Sequence, residues 1–244
     1  MQELQQRILQ DGDILPGGVV RVERFLNHRV DTALARHIGQ AFADAFRNDQ
    51  IDCILTVEAS GIIFAMTTAL AMGDLPVIIA KKGQRRNLGD DVYTADVFSF
   101  THQTTSTIHV GKRCLEKGQR VLLIDDFLAN GEALKGLMDI CRQAECHPVG
   151  AGICIEKCFQ PGGETLRGMG LKVVSLAAVE KTEDGKIRFL GQEYRSKRCQ
   201  TSAKGVRSVC RHRIKEIALH SISACGGHFC VLITIPLLRI NTRA

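Results

Sequence analysis

The run Val121-Leu122-Leu123-Ile124-Asp125-Asp126-Phe127-Leu128-Ala129-Asn130-Gly131 constrains the fold of this chain more than any other stretch. Four consecutive apolar residues with no polar alternation describe a strand buried on both faces, the condition of a central strand in a parallel sheet. Two carboxylates close the strand, small residues and a glycine follow, and a helical pattern begins at Glu132. A strand, a tight loop and a helix in that order aim backbone N–H groups and the positive end of the helix dipole at an anion. Asn130 adds a side-chain amide, and Gly131 lets a phosphate approach the backbone closely. Paired acids would repel that phosphate, so Asp125 and Asp126 make sense facing neutral hydroxyls beside it, such as those of a ribose. On its own, a run of this kind more often marks acids that merely cap the next helix.

The rest of the chain supplies a frame for such a strand. A short helix is predicted over Leu4 to Gln10 and a longer one from Asp31, a good N-cap, with Leu34, Ile38, Phe42 and Phe46 on one face. Residues 51–57 read as a buried strand, Glu58-Ala59-Ser60-Gly61 as a turn, 62–72 as an apolar helix and 76–81 as a second strand. Residues 91–100 and 104–110 alternate as a hairpin, 121–126 form a third buried strand, and 132–144 a helix. A strand over 149–156 and a closing hairpin over 172–179 and 186–190, turned at Glu183-Asp184-Gly185, complete the pattern. Strands alternating with helices predict an α/β fold, a mainly parallel sheet with helices on both faces. Ligands of such sheets gather at the carboxyl ends of the strands.

Charge divides the 244 residues unevenly. Residues 195–244 hold ten Lys/Arg and one Asp/Glu, a balance of +9, whereas residues 1–194 hold 22 and 25, a balance of −3. The boundary therefore predicts a domain over 1–194 and a basic, Cys-containing tail over 195–244 that is poorly ordered, as when a reading frame is shifted or a stop is missed. No apolar run reaches the ~20 residues of a membrane helix, and Met1-Gln2-Glu3-Leu4-Gln5-Gln6 lacks the start of a secretory signal. A cytoplasmic protein without membrane partners is expected. Cys53, Cys114, Cys141, Cys146, Cys154 and Cys158 contain no close pair and are expected to be buried, reduced thiols. The tail's Cys199, Cys210, Cys225 and Cys230 with His212 and His228 match no standard zinc spacing, so no protein metal site is expected.

The strand–acid–acid–loop unit resembles the signature of type I phosphoribosyltransferases, in which two acids and two apolar residues precede Ala-Thr-Gly-Gly-Thr. Asn130, Glu132 and Ala133 depart from that form and match the variant of one subgroup, the bacterial xanthine phosphoribosyltransferases. Phe25-Leu26-Asn27-His28, Glu58-Ala59-Ser60-Gly61, Phe98-Ser99-Phe100-Thr101 and Ile155-Glu156-Lys157-Cys158-Phe159-Gln160-Pro161-Gly162 are similar to further stretches of the same family, in the same order. The resemblance spans residues 1–194. It implies the type I phosphoribosyltransferase fold with a hairpin or hood region, and transfer of the 5-phosphoribosyl group of PRPP to N9 of xanthine, giving XMP and pyrophosphate in purine salvage. A cytoplasmic homodimer using Mg²⁺ carried by PRPP is also implied.

Roles follow from the resemblance at matching positions. Ala129, Asn130, Gly131, Glu132 and Ala133 match the PRPP loop, with Asp125 and Asp126 as the catalytic acids. Val20, Asn27 and Lys157 match contacts to xanthine, and Ser60-Gly61 the turn that meets pyrophosphate, with Ser60 equally readable as a helix cap. Lys81, Lys82, Arg85 and Arg86 form a basic cluster of the kind that reaches pyrophosphate or is simply solvated. His28, His102 and His109 are given no role. Two alternatives share the fold: a hypoxanthine/guanine phosphoribosyltransferase, and a PRPP-sensing regulator whose basic tail contacts nucleic acid. No helix-turn-helix precedes the domain, and a regulator would not need Asn27 and Lys157 together, so nucleic acid is not an expected partner.

Overall fold

A computed structural model describes residues 1–83, 91–99, 103–183 and 186–190. These all fall within one compact unit, Met1–Lys197. The tail with its cysteines and histidines, Arg85, Arg86, Phe100, Thr101, His102 and the Asp184-Gly185 turn lie outside the described residues.

The elements in chain order are α1 (Gln2–Asp11), β1 (Asp13–Leu15), β2 (Val19–Arg21), α2 (Thr32–Ala45), β3 (Cys53–Val57), α3 (Gly61–Ala71), β4 (Val77–Lys82) and β5 (Val92–Ser99). They continue with β6 (Thr104–Gly111), β7 (Arg120–Leu128), α4 (Glu132–Gln143), β8 (His147–Lys157), α5 (Gly162–Gly168), β9 (Val173–Glu183) and β10 (Lys186–Phe189). Among the described residues the main sheet has eight strands in the order β10-β9-β8-β7-β3-β4-β6-β5. Pairing is parallel from β9 through β8, β7 and β3 to β4, and antiparallel at both ends. The expected α/β class and both outer hairpins are therefore present, with β7 and β3 in the middle.

Alternation along the central strands builds two cores. Ile54, Leu122 and Ile124 face a cluster containing Leu34, Ile38 and Phe42 of α2 and Phe64 of α3. Leu55, Val121 and Leu123 face the other cluster, with Leu134, Leu137 and Ile140 of α4 and Leu166 of α5. Each such side chain, fully buried, contributes roughly 1.5–3 kcal/mol. Asp31 caps α2 as predicted, its Oδ1 accepting from Ala33 N and Leu34 N at 3.1 Å each. Substitution of such a cap by Ala costs about 1 kcal/mol.

Two cysteines depart from expectation. Cys53, Cys141, Cys146 and Cys154 are buried free thiols, but Cys114 and Cys158 are exposed. Cys114 sits in a short turn after β6 and Cys158 just beyond the end of β8, where the sheet no longer covers them.

Candidate active site

The acids do not end their strand. β7 runs through both, pairing Asp125 with Ile153 and Phe127 with Ile155 of β8. They do not cap the following helix either: the N-cap of α4 is Gly131, with no side-chain cap bond. Asp125 Oδ1 instead accepts from Asp126 N at 2.9 Å, and Asp126 Oδ1 from Phe127 N at 3.0 Å. Asp125 is 7% exposed. Burial pushes its carboxyl well above the ordinary range, and the negative charge of Asp126 pushes it further.

The loop beyond β7 turns on Gly131, whose φ of +82° lies in the left-handed region that glycine adopts without steric penalty. Ala129, Asn130, Gly131, Glu132 and Ala133 together line a cavity of about 220 Å³, whose walls also include Lys82 and Asp125. The first N–H groups of any helix lack intrahelical partners, and Glu132, Ala133 and Leu134, which carry them in α4, all line this cavity. Glu132 would oppose an anion there if its charge were free. It is paired instead with Lys135, Nζ to Oε1 at 2.8 Å, which offsets that charge. The pair was missed in the sequence, where the i,i+3 spacing of opposite charges is the mark that could have found it.

Of the basic cluster, Lys82 at the end of β4 lines the cavity, while Lys81 does not. The Lys82 backbone N donates to Glu58 Oε1 at 2.6 Å, tying β4 to the Glu58-Ala59-Ser60 turn. That turn contains a cis peptide between Glu58 and Ala59. Ser60 occupies the N-cap position of α3 without making a side-chain cap bond. Gly61 abuts the acids: a Cβ on it would stand 3.2 Å from Asp125 Oδ1 and 2.3 Å from Thr56 Oγ1. Neither Ser60 nor Gly61 lines the cavity itself.

The other expected residues, Asn27, Lys157 and Val20, do not line that cavity. Asn27 Nδ2 donates to Asp126 Oδ2 at 3.3 Å. Its Oδ1 is buried without a partner, a costly state for a polar atom unless a ligand supplies the missing donor. Lys157, at the end of β8, is half-buried; burial lowers its pKa from the ordinary lysine value. Its Nζ stands 5.9 Å from the centroid of the Phe127 ring. Val20 lies on β2, a short strand that among the described residues pairs only with β1, and belongs to the core cluster against which Phe127 packs. The β1–β2 hairpin was not predicted, because Pro16-Gly17-Gly18 reads as a bare turn between runs too short to show alternation.

A strand ending in a phosphate-type loop, beside two acids and a turn at the neighbouring strand end, is matched by a family model. The model is that of the phosphoribosyl transferase domain, and it covers residues 27–187. The chain belongs to this family. Among curated phosphoribosyltransferases, it is 51% identical over 189 residues to the xanthine phosphoribosyltransferase of Limosilactobacillus fermentum, covering 78% of this chain and 96% of that one. It is 50% identical to that of Bifidobacterium adolescentis over 191 residues, 78% of this chain and 99% of that one. It is 46% identical to that of Laribacter hongkongensis over 189 residues, 78% of this chain and all of that one. Solved phosphoribosyltransferases share the fold at lower identity. The adenine phosphoribosyltransferase of Trypanosoma brucei superposes with a TM-score of 0.61 at 17% identity, over 88% of this chain and 91% of that one. That of Rhodothermus marinus does so with a TM-score of 0.59 at 20% identity, over 73% and 100%.

Proposed function

We propose that this phosphoribosyltransferase moves the 5-phosphoribosyl group of PRPP onto N9 of xanthine, releasing XMP and pyrophosphate, in purine salvage. One observation carries the reading beyond the relatives' names: Asp126, adjoining the phosphate-type cavity, is hydrogen-bonded to Asn27. Donor and base subsites therefore meet at one carboxylate. The loop from Ala129 to Ala133 takes the 5′-phosphate, and Asp125 and Asp126 take the ribose hydroxyls. Lys82 and the Ser60-Gly61 turn stand on the pyrophosphate side. Departure of pyrophosphate leaves positive charge on C1 and the ring oxygen, an oxocarbenium-like state as in glycoside cleavage. The protein contributes alignment and fixed charge rather than covalent chemistry. Lys157 donates to the 6-oxo group and N7 of the purine, Asn27 addresses the edge at position 2, and Val20 packs on the ring.

Among the described residues no cluster of three or more His, Cys, Asp or Glu is placed to hold a metal. A Mg²⁺ ion that arrives on phosphates needs only one or two carboxylates, and Asp125 with Asp126 fits that demand. Bound there with PRPP, it would neutralise charge on the departing pyrophosphate. A cytoplasmic homodimer is the proposed working form. No described helix is long and apolar enough to cross a membrane, and exposed Met66 and Leu70 give α3 an apolar face for a second copy. The nucleic-acid regulator reading draws no support from the site. A hypoxanthine or guanine preference remains the second reading, since Lys157 would serve any 6-oxopurine.

The reading is tested by mixing purified protein with PRPP, Mg²⁺ and xanthine. One pyrophosphate should appear per XMP; PRPP hydrolysis without nucleotide would refute transfer.

We also propose that residues 1–194 are the catalytic unit and 195–244 an appendage with no part in catalysis. Phe189 of β10, 2% exposed, is the last core side chain described, and the relatives are matched almost completely by 78% of this chain. Truncation after Tyr194 should leave xanthine turnover and Tm unchanged. Loss of either in the shortened protein would make the tail part of the fold.

A further inference from the structure

Glu156 is a carboxylate in an otherwise apolar strand, 2% exposed, and no role in binding substrate falls to it. Two elements hold it. Arg167 of α5 grips it with a two-pronged fork, Nη1 to Oε1 at 2.7 Å and Nη2 to Oε2 at 2.8 Å, the strong geometry for this pair. Ser175 Oγ of β9 donates to Oε2 as well. Burial alone would push the Glu156 carboxyl up, but the bonds from Arg167 and Ser175 outweigh it and hold the group below its ordinary value. The carboxylate lies directly against the first turn of α5, since a Cβ on Gly163 would fall 1.9 Å from Glu156 Oε1.

The other side of that same turn touches the phosphate-type loop. Gly162 N donates to Ala129 O at 3.0 Å. A Cβ on Gly162 would stand 2.3 Å from Ala129 O and 2.6 Å from Gly131 N, so helix and loop meet backbone to backbone. α5 is thus a spacer with the loop on one side and a fixed ion pair on the other. We propose that Glu156 and Arg167 are positioning residues for the donor: their bridge fixes α5, and α5 fixes the loop from Ala129 to Gly131 in its phosphate-binding form. Neither touches substrate. The proposal rests on the reading of this loop as the PRPP site. Lys157, although adjacent in sequence, is held independently by its pairing with Val179 and by Cys158 N donating to Val179 O at 2.8 Å. Loosening α5 should therefore weaken the donor and spare the base.

The test is Glu156→Gln, which keeps shape and removes the charge from the bridge. Titration calorimetry of Mg²⁺–PRPP, with no base present, is compared with the KM for xanthine at saturating PRPP. PRPP binding should weaken by about tenfold, the scale expected when a binding group is displaced by a fraction of an ångström, while the xanthine KM stays within about threefold. Arg167→Lys keeps the charge and one bond and should fall between wild type and Glu156→Gln. If Glu156→Gln does not fold, Arg167→Lys is read the same way. Unchanged PRPP affinity in a folded variant would overturn the proposal, as would equal weakening of PRPP and xanthine, which marks general loosening. Because PRPP binding is read without a base, a wild type that binds PRPP yet makes no XMP would refute the xanthine reading and leave the PRPP arm of the test, wild type against Glu156→Gln, intact.

Discussion

Replacing Asp125 and Asp126 together by Asn should lower xanthine turnover by at least about 100-fold, the usual scale for losing fixed electrostatic groups at a reacting centre, without lowering stability at neutral pH. The fold should survive because each local bond has an equivalent. The Asn oxygens can still accept from Asp126 N and Phe127 N, at 2.9 and 3.0 Å in the native chain. At position 126 an amide would face the amide of Asn27, which restores the contact by turning over. Stability should in fact rise. The Asp125 carboxyl is held well above its ordinary pKa, first by burial and then by Asp126. The sign follows from linkage: a carboxyl raised in the folded state contributes fully below its unfolded pKa, and that contribution is lost as pH rises through the folded value. At neutral pH wild type therefore carries a penalty that the double variant lacks. The gap in Tm should close as pH falls toward the ordinary carboxylate range. Calorimetry at neutral and acid pH, with kcat at saturating PRPP, checks both parts. Near-normal turnover would remove the acids from the mechanism, and a lower Tm at neutral pH would make them structural.

Asn27→Asp should lower kcat/KM for xanthine by at least about tenfold, a loss of ~1.4 kcal/mol, and raise the guanine-to-xanthine ratio. Xanthine carries an acceptor oxygen at position 2, to which the second Nδ2 hydrogen of Asn27 can donate, and guanine a donor amine. An aspartate offers only acceptors at neutral pH, opposing the xanthine oxygen and adding a charge-assisted bond to guanine. The hydrogen bond from Asn27 Nδ2 to Asp126 Oδ2 at 3.3 Å sharpens the expectation. The variant would set a third carboxylate against Asp126 and Asp125, and a purine that brings more donors would relieve that crowding better. An unchanged ratio, measured with both bases at one PRPP and Mg²⁺ concentration, would mean that Asn27 does not read position 2.

The sequence made the central sheet legible because its strands are continuous apolar runs, and the phosphate-type loop legible because small residues and Gly131 stand between strand and helix. It hid the continuation of β7 through Phe127 and Leu128, since aspartate is depleted in strands and the pair reads as a strand end. It also hid α5, which begins with Gly162-Gly163 and spans only seven residues, too few to show a period. Glu156 gave no sign of its fork because Arg167 is eleven residues away and Ser175 nineteen. Lys82 was visible as a cation but not as a wall of the cavity, since a strand end has no sequence mark of direction. Asn27 had the opposite fate: in sequence an ordinary turn residue apart from the family resemblance, it is hydrogen-bonded to Asp126 in the structure, the contact on which the proposed meeting of the two subsites rests.

The most direct measurement is kcat/KM of the purified full chain for xanthine, hypoxanthine, guanine and adenine at one saturating concentration of PRPP with Mg²⁺. A 6-amino group presents a donor to the ammonium of Lys157, and a site built to hydrogen-bond one group rejects a base that leaves its buried polar atoms unpaired. Xanthine should give the highest value, and adenine should fall below it by at least about 100-fold. A value for guanine, hypoxanthine or adenine above that for xanthine, or no nucleotide from any base, would contradict the account.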